Sequence, residues 1–277
     1  MAFEKLVRYQ VEGSIYYGDL IETAETGFKV RRLSGGLGGF QPQGDIDTVN
    51  KLLCPLEKTP IILCIGLNYK KHATEASLEI PDYPVVFTKP SDALAGPGEA
   101  IPISPGAQSM LDYEGELVVV ISKDCKNLPE DVDLSEYVLG YTAGNDVSAR
   151  NYQLPKAGGG QYSYAKSFDK FAPIGPYIVS SSVIKDPQSL KYVTRVNGKT
   201  VQETDTDDMI WSVKAILRHL TRGTTVRAGT IIMTGTPAGV GFFRNLFLQD
   251  GDMVEVEIEG VMKLSNIIKY EDHASKM

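Results

Sequence analysis

The chain has little of what thiolate and serine chemistry require. Its 277 residues include three cysteines, Cys54, Cys64 and Cys125. An odd number without C-x-x-C spacing excludes a disulfide framework and a thiolate zinc site, and leaves three reduced thiols. Histidines are also three and no G-x-S-x-G occurs, so a serine or cysteine triad has few bases to draw on. Cationic excess is missing too. A net charge of −7 opposes a surface that tracks nucleic-acid phosphates or an anionic membrane. An anionic substrate must then be gathered locally, by a metal or a few cations. No run approaches the ~20 apolar residues of a membrane span, and "MAFEKLVRYQ" lacks the apolar core of a secretory signal. These absences predict a cytoplasmic protein. The final "SKM" stands one residue from the S-K-L address, which makes peroxisomal import a second expectation.

Turn formers are plentiful, with 27 Gly and 15 Pro, and they predict a strand-rich fold with few long helices. "KLVRYQV" and "SIYYGDLI" read as strands before the glycine cluster "SGGLGGF". The prolines of "CPLEKTP" then mark a boundary, giving a small N-terminal module over residues 1–57 and a main domain over 58–277. Strand candidates follow in "IILCIGL", "PVVFTKP", "YEGELVVVIS", "APIGPYIVS", "KYVTRVNGKT", "TIIMTGT" and "MVEVEIEG". The Asn-Gly of "VNGK" signals a tight hairpin. Helical spacing of Met209, Ile210, Val213, Ile216, Leu217 and Leu220 predicts one helix, opened by acids and closed by Gly223, with His219 on its polar face. The expected class is α+β, mainly β.

Two near-motifs fail. "GGGQYSYAKS" puts Ala165 where a phosphate-cradling loop needs glycine. "DTDDM" lacks the glycine and distal glutamate of a calcium loop. Acidic residues carry the stronger signal. Glu114 and Glu116 lie two apart at the entrance of an apolar run, so period-two geometry turns both carboxylates to one face. Paired acids are costly to desolvate unless a cation sits between them. Asp146 ends another strand candidate, followed by Arg150 and Gln153. Three carboxylates without His or Cys suit a hard ion: Mg²⁺, Mn²⁺ or Ca²⁺.

The ordered series "GLNYKKHATE", "VVFTKPSDALAGP", "DYEGELVVVIS", "GYTAGNDVSARNYQ", "AKSFDKFAPIGP", "VNGKTVQ" and "TGTPAGVG" resembles the fumarylacetoacetate hydrolase superfamily, in its branch with a small N-terminal module. The resemblance implies a mixed β-roll with peripheral helices, usually a homodimer, and a divalent metal held by Glu114, Glu116 and Asp146. It implies a short helical lid in which His72 and Glu75, three apart, share one side of a turn and activate water. Lys166 and Thr236 match positions that bind the substrate's oxygens and carboxylate; Arg150 and Gln153 match positions flanking it. Gly115 stands where relatives often have valine, tyrosines replace a tryptophan before Lys166, and Leu67 replaces an arginine of some acylpyruvate-cleaving members.

The family's substrates are 2-oxo acids, often with a second carbonyl at C4, which chelate a divalent ion that stabilises the enolate formed at C3. The first expectation is therefore a hydrolase that cleaves the C3–C4 bond of a 2,4-dioxo acid of acylpyruvate or fumarylacetoacetate type. An oxaloacetate tautomerase or decarboxylase, or a dienol-acid isomerase, uses the same intermediate and is the alternative. A silent metal-binding member is the third.

Overall fold

The computed structural model describes residues 2–24 and 27–272. Its central strand is Gly115–Ile121, every residue of which is buried. Side chains alternate across a strand, and here they feed two cores: Leu117, Val119 and Ile121 enter one, Val118 and Val120 the other. A strand covered on both faces has no polar side to show, which accounts for the unbroken "LVVVI" run.

On one side this strand pairs antiparallel with Ile231–Met233. That strand runs parallel to Ile62–Gly66, which pairs antiparallel with Val85–Lys89 at the sheet's edge. On the other side Val138–Asn145 and then Ala172–Ser180 follow, both antiparallel. Lys5–Val11 adds to Ala172–Ser180 in the register Lys5↔Val179, and Ser14–Ala24, Gly27–Gly36 and Gly39–Val49 continue outward. The N-terminal strands thus extend the same sheet, twelve strands in all among the described residues. Gly39–Val49 carries mostly exposed residues, so hydrophobic pattern did not mark it as a strand.

A second sheet of five strands contains Lys199–Asp205, Lys191–Val196, Met253–Ile258, Met262–Tyr270 and Ala100–Ile103. Asn197 and Gly198 take φ of 50° and 76° at its hairpin, the left-handed pair a tight turn requires. Val256, Ile258, Met262 and Leu264 pack against Leu117, Val119 and Tyr141, rolling this sheet over the first. The mainly β, α+β roll expected from the sequence is what forms.

The predicted helix is shorter than its apolar spacing suggested. It spans Val213–Thr221 and starts at Ser212, whose hydroxyl accepts from the amide of Ala215. The acids ahead of it serve elsewhere: Thr206–Asp208 form a 3₁₀ turn, and Asp208 accepts from the amide of Lys71. His219 is half-buried and stacks on Tyr83, 5.8 Å between centroids. No helix among the described residues is long and apolar enough to cross a membrane. The C-terminal "SKM" lies outside the described residues.

Candidate active site

Antiparallel pairing of Gly115 with Asn145 sets the entrance of the central strand against the exit of its neighbour. Glu114, Glu116 and Asp146 meet there. The amide of Asp146 donates to Glu114 O at 2.8 Å, and the Glu114 amide donates to Asn145 Oδ1 at 2.9 Å. All three acids are buried, with one oxygen of each within 4.8 Å of the others. Gly115, between the glutamates, has no room for a side chain: a Cβ would lie 2.0 Å from Thr194 Oγ1.

Three cations balance the cluster. Lys166 Nζ donates to Glu114 Oε2 at 2.8 Å and to Asp146 Oδ2 at 2.6 Å. Arg150 Nη2 pairs with Glu114 Oε1 at 2.5 Å, and its Nε donates to Asp112 Oδ2 at 2.8 Å. Lys89, fully buried, pairs with Asp146 Oδ1 and donates to Val147 O at 3.2 Å and to Phe171 O. Burial would raise the Glu114 carboxyl, but Lys166 and Arg150 outweigh it and hold it at about 2. On Glu116 burial, reinforced by Asp146 and Glu114, outweighs the pull of Lys166 and of the Gly235 amide and pushes the carboxyl well above the usual range. Converging carboxylates with oxygen donors alone fit a hard divalent cation, which would relieve their mutual repulsion.

One loop fixes three of the acids through its backbone. Following Ile231–Met233, the amide of Gly235 donates to Glu116 Oε2 at 2.7 Å, that of Gly239 to Glu75 at 3.0 and 3.1 Å, and that of Gly241 to Asp112 Oδ1 at 2.7 Å. Gly235 takes φ +100°, and a Cβ there would sit 2.7 Å from the Asn68 Cβ, so glycine alone lets this amide reach Glu116. Phe242 adds a fourth donor, to Asp112 Oδ2 at 3.0 Å.

His72 and Glu75 lie on the short helix Lys70–Ala76. His72 Nδ1 is 3.3 Å from Glu75 Oε2, and the histidine ring meets Phe243 edge-on, 5.8 Å between centroids. Asn68 seats this lid: its side-chain amide donates to Thr234 O at 2.7 Å and its Oδ1 accepts from the Trp211 amide at 2.7 Å. A cavity of about 390 Å³ lies beneath, and His72, Glu114, Arg150, Gln153, Lys166 and Thr236 all line it.

The nine residues singled out in the sequence lie near one another, in or beside this cavity, and three expected to meet the substrate are bonded to the protein itself. Lys166 serves Glu114 and Asp146. Arg150 spends its donors on Asp112, Glu114 and, through Nη1, Gln153 Oε1 at 2.9 Å. Thr236 donates to Gly115 O at 2.9 Å and accepts from Gln202 Nε2 at 2.8 Å, so it ties the glutamate-bearing backbone to the second sheet. Sequence reasoning missed Lys89 and Asp112. A lysine inside the apolar "VVFTKP" strand was the available signal, because an unpaired ammonium is not buried. Asp112 offered none.

A family model described as fumarylacetoacetate (FAA) hydrolase C-terminal matches residues 61–269. The chain is 41% identical over 223 residues to oxaloacetate tautomerase YisK of Bacillus subtilis, covering 79% of this chain and 73% of that protein. It is 40% identical over 217 residues to the mitochondrial oxaloacetate tautomerase fahd2 of Xenopus laevis, covering 78% of this chain and 67% of that one. That mitochondrial name lends no support to a peroxisomal address. Among solved structures, 2-hydroxyhepta-2,4-diene-1,7-dioate isomerase from Mycobacterium marinum superposes with a TM-score of 0.84 at 32% identity, covering 98% of this chain and all of that one.

Proposed function

The chain belongs to the fumarylacetoacetate hydrolase family, and from this premise we propose that it is a divalent-metal-dependent keto–enol tautomerase of 2-oxo acids. The observation that carries the reading is that one cavity is lined both by His72, which Glu75 holds, and by Glu114 of a carboxylate cluster that fits a hard cation. Oxaloacetate tautomerase and dienol-acid isomerase relatives support it.

Held by Glu114, Glu116 and Asp146, an ion such as Mg²⁺ would supply Lewis-acid stabilisation of the charge that develops on the 2-oxo oxygen. The chain's own groups do the rest. Glu75, anchored by the Gly239 amide, receives His72 Nδ1; with Nδ1–H donated there, Nε2 carries the lone pair that takes the C3 proton and returns it. Lys166 stays protonated: burial disfavours its ammonium, but Asp146 and Glu114 raise it above its ordinary range. It thus offers a fixed positive charge beside the reacting oxygens.

Hydrolysis of a 2,4-dioxo acid is the second reading, favoured by the same pair, since a histidine oriented by a carboxylate also suits water activation. The two separate in one assay. Enol absorbance of oxaloacetate or a 2,4-dioxo acid is followed with Mg²⁺ while pyruvate is measured in parallel. Accelerated enol decay without pyruvate is the expected result; pyruvate released in step with decay would replace tautomerase by hydrolase for a 2,4-dioxo acid, and by decarboxylase, with CO2 as the co-product, for oxaloacetate. We further propose that the protein forms homodimers, a reading supported by the unpaired outer edge of Gly39–Val49 in the sheet order, which association can cover. Light scattering should return twice the 30.3 kDa chain mass, and a monomer mass would refute it.

A further inference from the structure

The cavity has two unlike ends, and only one is furnished for charge. At the inner end its cationic lining residues are Lys166 and Arg150, and both are already committed. Lys166 serves Glu114 and Asp146, while Arg150 serves Glu114, Asp112 and Gln153. The remaining lining residue able to carry positive charge, His72, is engaged with Glu75.

The rest of the lining is mostly apolar: Phe87 and Phe242 lie against Lys166 and Arg150, 4.9 and 5.9 Å from ring centroid to cation, and Leu78, Leu154, Tyr162 and Phe243 complete it. Five of these six apolar side chains, all but Phe87, are between 36 and 55% exposed, although each is large and could gain by burial. Exposed apolar side chains concentrated on one concave surface mark a ligand site rather than ordinary surface scatter. A volume of about 390 Å³ lies in the roughly 300–1,000 Å³ range of pockets for drug-sized ligands, well beyond what a four-carbon acid fills. A second carboxylate placed against these walls would give up part of its hydration without gaining a free cationic side chain to pair with.

We infer that the physiological substrate is a 2-oxo acid whose far end is uncharged and apolar, an alkyl or aryl group seated between Leu78, Leu154 and Phe243, rather than a dicarboxylate such as oxaloacetate. This rests on the 2-oxo acid reading above and names the substrate class that reading leaves open. Phe243 is the residue that ties tail to chemistry. Its ring touches His72 at one edge and lines the cavity, so an apolar group packed on it also shields the proton-transferring imidazole from water.

The test uses unreactive enolate mimics on the full-length protein, titrated calorimetrically with saturating Mg²⁺. Oxamate presents the inner end alone, N-butyloxamate adds an apolar tail, and N-oxalylglycine adds a carboxylate tail. N-butyloxamate should bind at least tenfold tighter than oxamate, in keeping with the gain per buried methylene, and N-oxalylglycine no tighter than oxamate. Phe243→Ala should cut the butyl preference severalfold. Equal affinities, or tightest binding by N-oxalylglycine, would overturn the apolar-tail inference while leaving the 2-oxo acid reading in place. If none of the three binds with Mg²⁺ present, both fall together.

Discussion

Replacing Lys89 by methionine removes a charge and keeps the shape, which isolates what the buried ammonium contributes. Neither Lys89 nor Asp146 exposes any side-chain surface, so water cannot take over when one partner is lost. Breaking such a pair typically costs about 3–5 kcal/mol, because the remaining charge is left in a poor medium. Asp146 retains Lys166 at 2.6 Å, which puts the expectation at the low end, about 3 kcal/mol. For a chain of this size that corresponds to a fall in melting temperature of about 6–12 °C. Thermal denaturation in EDTA, followed by circular dichroism, reads it directly. Adding Asp146→Asn should recover part of the loss, since the orphaned carboxylate is then gone, and the two changes should be strongly non-additive. A Lys89→Met melting temperature within a degree of the parent, or costs that simply add, would show that the pair does not carry the charge balance assigned to it.

Glu116→Gln removes a ligand atom without altering volume; Mg²⁺ binding by calorimetry should weaken at least tenfold, with enol decay lost alongside it, and unaltered affinity would remove Glu116 from the metal set. His72→Ala should slow catalysis by ~10²–10⁴-fold, the usual contribution of a general base, while Mg²⁺ affinity stays within twofold; parent-like turnover would move proton transfer elsewhere. Gly115→Val would drive a side chain into Thr194, where a Cβ already lies 2.0 Å from Oγ1, so soluble expression or melting temperature should drop sharply, and a parent-like melting temperature would contradict the close packing. Burial pushes the Cys54 thiol up to about 12 and the Tyr9 and Tyr141 phenols above their ordinary value. Folded values above unfolded ones of about 8.5 and 10 mean stability is full below about pH 8.5 and is lost as pH rises toward 12. A melting temperature still flat at pH 11 would contradict this.

The parts of the site written in local pattern were legible, and those made by long-range pairing were not. Glu114 and Glu116 announced themselves by period-two spacing before an apolar run, whereas the turn that puts His72 and Glu75 on one side was implied by the family resemblance. That Asp146 faces them depends on the register Gly115↔Asn145, which no local rule specifies; the family resemblance supplied it. Lys89 sits 57 positions from the acid it serves, and its strand gave no hint of the partner. The helix beginning at Ser212 was overextended because Met209 and Ile210 keep helical spacing; the structure instead commits them to pairings with Tyr69 and Asn68 beside the lid. Gly39–Val49 was invisible for the opposite reason: an exposed edge strand has no apolar face to betray it.

The loop from Gly235 to Phe242 bears on how such an enzyme can drift over evolutionary time. Its grip on Glu116, Glu75 and Asp112 is made by peptide amides, three of them from glycines that have no room for a Cβ, and the fourth, at Phe242, donates whatever side chain it carries. Loops ordinarily accept insertions and deletions, but one residue gained or lost here would put three carboxylates out of step at once. Length is therefore frozen while identity at 242 and 243 stays free, and those are the side chains that stand at the cavity mouth. New substrates can be explored by exchanging the mouth residues, with the acids beneath them held by bonds that point mutation there does not erase.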